Sequence, residues 1–136
     1  MPFGQIRVDF LPPSATLHHI GVAVQSARTL GLDGILMTHD PIQKVNVGFI
    51  NVGDSCVEVI EPASSDSPII NSLKKGIKIV HICYEVDDIQ DAIQTAELKK
   101  FKAIKQPVPA VAFAGRLIAW VYSPTWGLYE LLQREP

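Results

Sequence analysis

The sequence predicts an α+β fold made of two βαβββ modules. Three observations carry this reading. Short apolar runs alternate with polar residues and are bounded by glycine, proline and asparagine, which is strand patterning. A strand followed by a helical stretch occurs twice, each time ahead of further strands. Two motifs also recur between the halves: His19-Ile-Gly-Val-Ala-Val returns as His81-Ile-Cys-Tyr-Glu-Val at an offset of 62, and Val57-Glu-Val-Ile-Glu returns as Tyr129-Glu-Leu-Leu-Gln at an offset of 72.

Residues 1–14 read as a lead-in broken by Pro12-Pro13, and a single domain follows over 15–136. Its first module covers about 17–62 and its second about 78–133. Residues 17–24 (LHHIGVAV) form the first strand, and 25–32 about two turns of helix with Ser26 as N-cap. Residues 34–39, 45–51 and 56–61 are three further strands, with Asn51-Val52-Gly53-Asp54 as hairpin material between the last two. Ser67-Pro68 opens a short helix that ends at Lys75-Gly76. The pattern then restarts. Residues 78–86 are a strand, and Asp87-Asp88 caps a helix over 89–100 with Ile89, Ala92, Ile93 and Ala96 on one face. Short strands follow near 102–105, 117–122 and 128–132, and the proline- and alanine-rich stretch 106–115 reads as a loop.

Composition narrows the function classes. With 47% hydrophobic residues, 136 residues can bury a core without disulfides. A net charge of -2 gives no basic excess for a nucleic-acid partner. Cys56 and Cys83, 27 residues apart with no CxxC pair, read as reduced thiols in small apolar packing. No signal-peptide core opens the chain and no apolar run approaches the roughly 18 residues of a membrane span. The expected location is the cytoplasm.

Strand alternation places His19, Gly21 and Ala23 on one face, and His81, Cys83 and Glu85 on one face of the second module. Glu58 and Glu130 stand opposite apolar neighbours in the last strand of each module. One face of each module is then core, while the other carries one imidazole and one carboxylate. Two such modules about an approximate twofold axis present two nitrogens and two oxygens to a single point, a donor set that suits one divalent Ni, Co, Mn, Zn or Fe ion. A lone strand histidine is more often a hydrogen-bonded core residue, and a glutamate in VEVIE fits an exposed edge. It is the repeat-related placement of all four that favours a metal. His18 has the opposite parity to His19 and reads as structural, and His39 has no partner in sequence.

At these residues the chain resembles the vicinal oxygen chelate superfamily (glyoxalase I, methylmalonyl-CoA epimerase, extradiol dioxygenases, bleomycin-resistance proteins), and most of all its epimerase branch. The segments that carry the likeness are LHHIGVAV, VGFINVGDSCVEVIEP with SPII after it, IVHICYEVDDIQDAI and GRLIAWVYSPTWGLYELLQ. The resemblance implies modules whose sheets form a cleft, metal ligands at His19, Glu58, His81 and Glu130, and, by analogy, a homodimer. In the epimerases a carboxylate on the strand before that of Glu58 acts as a base. Alignment puts Asn46 there, an amide able to orient a substrate oxygen but not to abstract a proton. Residues 25–44 are also too short for the family's usual first helix and strand, which leaves part of one pocket wall missing.

The function that follows is an isomerase or epimerase moving a proton next to a carbonyl, on a thioester such as an acyl-CoA. Metal stabilises the enolate oxygen and Glu58 or Glu130 serves as base, which is closer to glyoxalase I in mechanism. Arg116, with Lys74, Lys75 and Lys78, is a candidate for the phosphates of a CoA-like handle, although a solvated rim explains those charges as well. Two alternatives stay open. One is a non-catalytic small-molecule-binding protein of the same fold, and the other is a non-haem iron dioxygenase, against which the extra carboxylate counts.

Overall fold

A computed structural model describes residues 4–136, so residues 1–3 of the lead-in lie outside the described residues. The strands are β1 (Thr16–Ala23), β2 (Thr38–Asp40), β3 (Val45–Val52), β4 (Ser55–Pro62), β5 (Ile79–Val86), β6 (Lys102–Ala103), β7 (Val108–Pro109), β8 (Leu117–Ser123) and β9 (Gly127–Gln133). The helices are α1 (Ile69–Lys74) and α2 (Ile89–Leu98), with 3₁₀ turns at Ala27–Leu30 and Val111–Phe113. All strands join one mixed sheet in the order β2-β3-β4-β1-β5-β9-β8-β6, with β7 also paired to β8.

That order reads alike from both ends. β1 and β5 run antiparallel at the centre; β1 pairs in parallel with β4, and β5 in parallel with β9. Hairpins then extend each half outward, β4 to β3 to β2 and β9 to β8. The first and last strands of each half are therefore direct neighbours, which sets His19 beside Glu58's strand and His81 beside Glu130's.

The halves differ in what covers them. In the second, α2 is capped by Asp88, whose side chain accepts from the Asp91 amide, and buries Ile89, Ala92, Ile93 and Ala96. These pack on Val86, Phe101, Ala119, Val121 and Leu131. The lead-in belongs to this core: Phe10 sets its ring 4.8 Å from Phe101, 5.2 Å from Trp126 and 5.3 Å from Tyr129.

The two-turn helix expected over 25–32 is instead a four-residue 3₁₀ turn, Ala27–Leu30, that buries nothing. Ser26 still caps it, its hydroxyl accepting from the Arg28 amide. The strand expected over 34–39 contracts to Thr38–Asp40, and residues 35–37 run over β3 without strand pairing. They lie so close to Gly48 that a Cβ there would come within 2.9 Å of Met37 Sδ, Ile35 Cγ2 and the Leu36 carbonyl. A stretch without regular secondary structure thus packs there in place of the expected helix. The stretch 106–115, expected as a loop, contains β7 and the 3₁₀ turn Val111–Phe113.

Candidate metal centre and cleft

His19, Glu58, His81 and Glu130 meet at the centre of the sheet, at most 5% exposed. The two Nε2 atoms lie 3.2 Å apart. Glu130 Oε1 is 3.1 Å from His19 Nε2 and 3.2 Å from His81 Nε2, and Glu58 Oε1 is 3.4 Å from each. Donor atoms about 2.1 Å from a common ion stand roughly 3.0–3.4 Å apart across angles of 90–110°. Glu130 Oε1 is also buried without a well-directed hydrogen bond. Four donor atoms therefore converge on one point at ligand-to-ligand distances, and the residues fit a divalent cation.

The surrounding residues hold the rings. His19 packs over the Phe113 ring at 5.8 Å, nearly parallel to it, and takes Phe49 on edge at 5.7 Å. His81 meets the Trp120 ring edge-on at 4.8 Å. Gly21 faces His81 across the β1–β5 ladder, while its repeat mate Cys83 faces His19. A Cβ on Gly21 would stand 2.2 Å from His81 Cε1, so only glycine leaves room for that imidazole. Gly21→Ala is expected to cost about 1–3 kcal/mol, the usual penalty of overpacking. Thermal melting checks this; an unchanged midpoint would mean that the His81 ring swings aside freely.

Electrostatics follow from the pairing. Burial alone pulls the imidazole of His81 down, but hydrogen bonds with Glu130 and Glu58 overcome it and raise the group to about 9. His19 is raised from the same balance. For Glu130 and Glu58, burial pushes the carboxyls up and the hydrogen bonds of the two histidines more than offset it, leaving both below the usual range. Burial drives the Cys83 thiol far up, so it stays an unreactive packing group.

The centre opens into a cavity of about 390 Å³ lined by Glu58, His81 and Glu130 with apolar residues of both halves, among them Val45, Val47, Ile60, Ile69, Phe113 and Ile118. Asp40 and Gln43 also line it. Asp40 is 4% exposed, and its Oδ1 accepts from the Ile42 and Gln43 amides, which ties the β2–β3 turn to the cavity wall. Gln43 Nε2 and Trp120 Nε1 are buried donors without partners among the described residues, and both residues border the cavity. Lys105 stands exposed at the rim.

Three sequence expectations need correction. Asn46 is not on the cavity: Val45, Val47 and Phe49 take that face, and Asn46 turns the other way, to His39 Nδ1 at 2.9 Å and Glu61 at 3.3 Å. Arg116 also lies off the cavity, donating to Glu85 at 2.6 Å and to the Gln133 carbonyl at 2.8 Å. The short segment 25–44 still contributes to the pocket wall: Asp40 and Gln43 line the cavity beside Val45 and Val47 of β3, while residues 35–37 pack against Gly48. Conversely, Asp40, Gln43 and Trp120 went unnoticed in the sequence.

Comparison with known proteins settles the kinship. The family model of the glyoxalase/bleomycin resistance protein/dioxygenase superfamily matches residues 17–120. The chain belongs to that superfamily. The matched span holds His19, Glu58 and His81 and ends before Glu130. Among superfamily members, the chain is 34% identical to the mitochondrial methylmalonyl-CoA epimerase of Bos taurus over 100 residues, 66% of this chain and 57% of that protein. It is 28% identical to the ethylmalonyl-CoA/methylmalonyl-CoA epimerase of Cereibacter sphaeroides over 116 residues, 78% of this chain and 87% of that one. The chain thus spans little more than half the length of the bovine relative. Its fold is similar to that of a hypothetical protein from Bacillus halodurans C-125, with TM-score 0.75, 31% identity, and 90% of this chain and 96% of that chain covered. It is also similar to that of methylmalonyl-CoA epimerase from Mycobacterium tuberculosis, with TM-score 0.73, 16% identity, and 98% and 95% covered.

Proposed function

We propose that the protein is a divalent-metal-dependent epimerase that inverts a carbon next to the carbonyl of an acyl-CoA thioester. The observation that carries this reading is the convergence of His19, Glu58, His81 and Glu130 on one point at the wall of an otherwise apolar cavity. When bound, the ion supplies Lewis-acid stabilisation of the negative charge that develops on a carbonyl oxygen as the neighbouring carbon loses its proton. His19 and His81 hold the ion, and Glu130 or Glu58 takes the proton. The apolar walls exclude water, and Lys105 offers a positive charge at the rim where a phosphate-bearing handle leaves the cavity. The printed names of the relatives, methylmalonyl-CoA epimerases, support the substrate class.

Inversion needs a second acid–base group, and Asp40 is the cavity's other buried carboxylate. Asn46, on the opposite face, has no bearing on the cavity or its chemistry. A homodimer remains a proposal by analogy alone, and the two free thiols fit a reducing compartment such as the cytoplasm.

Incubating metal-loaded protein with one α-epimer of methylmalonyl-CoA in heavy water tests the proposal. The expected result is epimerisation with deuterium entering the α-carbon. Asp40→Asn is expected to slow inversion about a hundredfold while Glu130 or Glu58 still exchanges the proton. Inversion at the parental rate in that variant would reduce Asp40 to a turn cap. Exchange without inversion in the unaltered protein would make it a one-base isomerase of the glyoxalase I kind, and neither exchange nor inversion would overturn the enzyme reading.

A further inference from the structure

We propose that His18 is the positioning residue of the metal centre, accepting at Nδ1 a hydrogen bond from Nδ1–H of His19 and so fixing His19 in the tautomer whose Nε2 can bind a cation. This rests on the reading of the quartet as a metal site.

The two Nδ1 atoms are 2.8 Å apart and the rings are nearly perpendicular, at 82°. A neutral imidazole has one N–H and one lone pair. When Nε2 of His19 serves a cation, the ring's proton must sit on Nδ1, and in a ring 1% exposed that proton needs an acceptor inside the protein. His18 supplies it. Metal-bound histidines generally donate their outer N–H to a carboxylate, a carbonyl or water, which fixes the ring and raises its basicity as a ligand. A second histidine in that place is a weaker acceptor than a carboxylate.

Strict alternation would send His18 to the far face of β1. The backbone prevents this: Leu17 pairs with Tyr84 and His19 with Cys83, leaving His18 unpaired in a bulge. The same irregularity recurs at the repeat-related place in β5, where His81 pairs with Gly21 and Ile79 with Val22, leaving out Val80. Val80 has no acceptor in its side chain. The centre is thus symmetric in its four ligands and asymmetric behind them, with His19 buttressed by a side-chain hydrogen bond at Nδ1 and His81, among the described residues, not. His18 is also unsuited to a second metal site with His19 and Cys83, since His19 would have to serve two ions as an imidazolate.

The experiment titrates metal-stripped protein with Zn²⁺ against a competing chelator, in the parent and in His18→Leu, His18→Asn and His18→Asp. Leucine removes the acceptor and is expected to weaken binding about 10- to 100-fold. Asparagine sets an amide oxygen near the place of Nδ1 and should restore affinity to within about threefold of the parent. Aspartate, a charged acceptor, should match or exceed it. A structural role alone would not follow this order. In the zinc-loaded parent, ¹⁵N NMR should find the His19 proton on Nδ1, which tests the tautomer without any substitution. Parental affinity in His18→Leu or no recovery in His18→Asn would each overturn the proposal while leaving the metal site intact, and a proton on Nε2 of His19 would overturn it by removing that nitrogen from the ligands. A parent that binds no zinc would instead overturn the metal reading, and this inference with it.

Discussion

Glu130→Gln is expected to lower proton exchange at the substrate α-carbon by at least about a hundredfold, the scale of a lost general base. The amide keeps the shape of the side chain but surrenders the negative charge and most of the basicity. Glu130 is 3% exposed, its Oε1 lies within 3.2 Å of both imidazole Nε2 atoms, and the residue borders the cavity. Three charged or nitrogen donors and an amide oxygen remain, so metal content should fall less steeply than exchange. Glu58→Gln is the matched control, because Glu58 occupies the twofold-related position at 3.4 Å. Deuterium uptake from heavy water and metal stoichiometry, measured on both variants, separate ligand from base. Unchanged exchange in Glu130→Gln would pass the base to Glu58 or Asp40.

Strand periodicity and the internal repeat made the centre legible, because both depend on local rules. A histidine on the first strand and a glutamate on the last of each half sit on adjacent strands once β1 pairs with β4 and β5 with β9. What lay beyond reach are places where local rules break. The bulge at His18 reverses its side, so parity read it as a residue apart from His19 when the two rings touch. The turn between Asp40 and Val45 restarts alternation, so nothing in the sequence aims Asp40 and Gln43 at the cavity. For Asn46, strand parity alone was informative. Val45 and Val47, its buried neighbours, already marked the opposite face as the inner one.

The first helix shows a different limit. Ser26 is a sound N-cap, but the few residues after it carry no apolar stripe to bury against the sheet, and a helix that short is marginal without one. Residues 35–37 take over that surface by packing on Gly48, a contact specified by the missing side chain rather than by any pattern. In the second half the stripe Ile89, Ala92, Ile93, Ala96 is complete and the helix forms, ending at Leu98.

Metal affinity is expected to rise about tenfold per pH unit between roughly 6.5 and 9, a gain of about 300-fold across that window, because the ion must displace a proton. In the metal-free protein the His81 imidazole is raised from 6.5 to about 9, with burial opposing and the two carboxylates prevailing. A raised histidine contributes stability that is fully present below its ordinary value and is lost as pH climbs through about 9. The depressed carboxyls of Glu130 and Glu58 contribute stability that is present above 4.5 and lost as pH falls below it. The metal-free protein should therefore be most stable between about 4.5 and 6.5, held by imidazolium–carboxylate pairing. Raising the pH toward 9 removes that pairing and leaves two carboxylates crowded in a buried site. The cation then takes the place of the lost protons, so the melting difference between loaded and stripped protein should widen steadily over the same range. Chelator-buffered titrations at several pH values, with melting of both forms, give both slopes. Affinity that stays flat from 6.5 to 9 would mean that the quartet holds no proton there, and that the two histidines are neutral before any ion arrives.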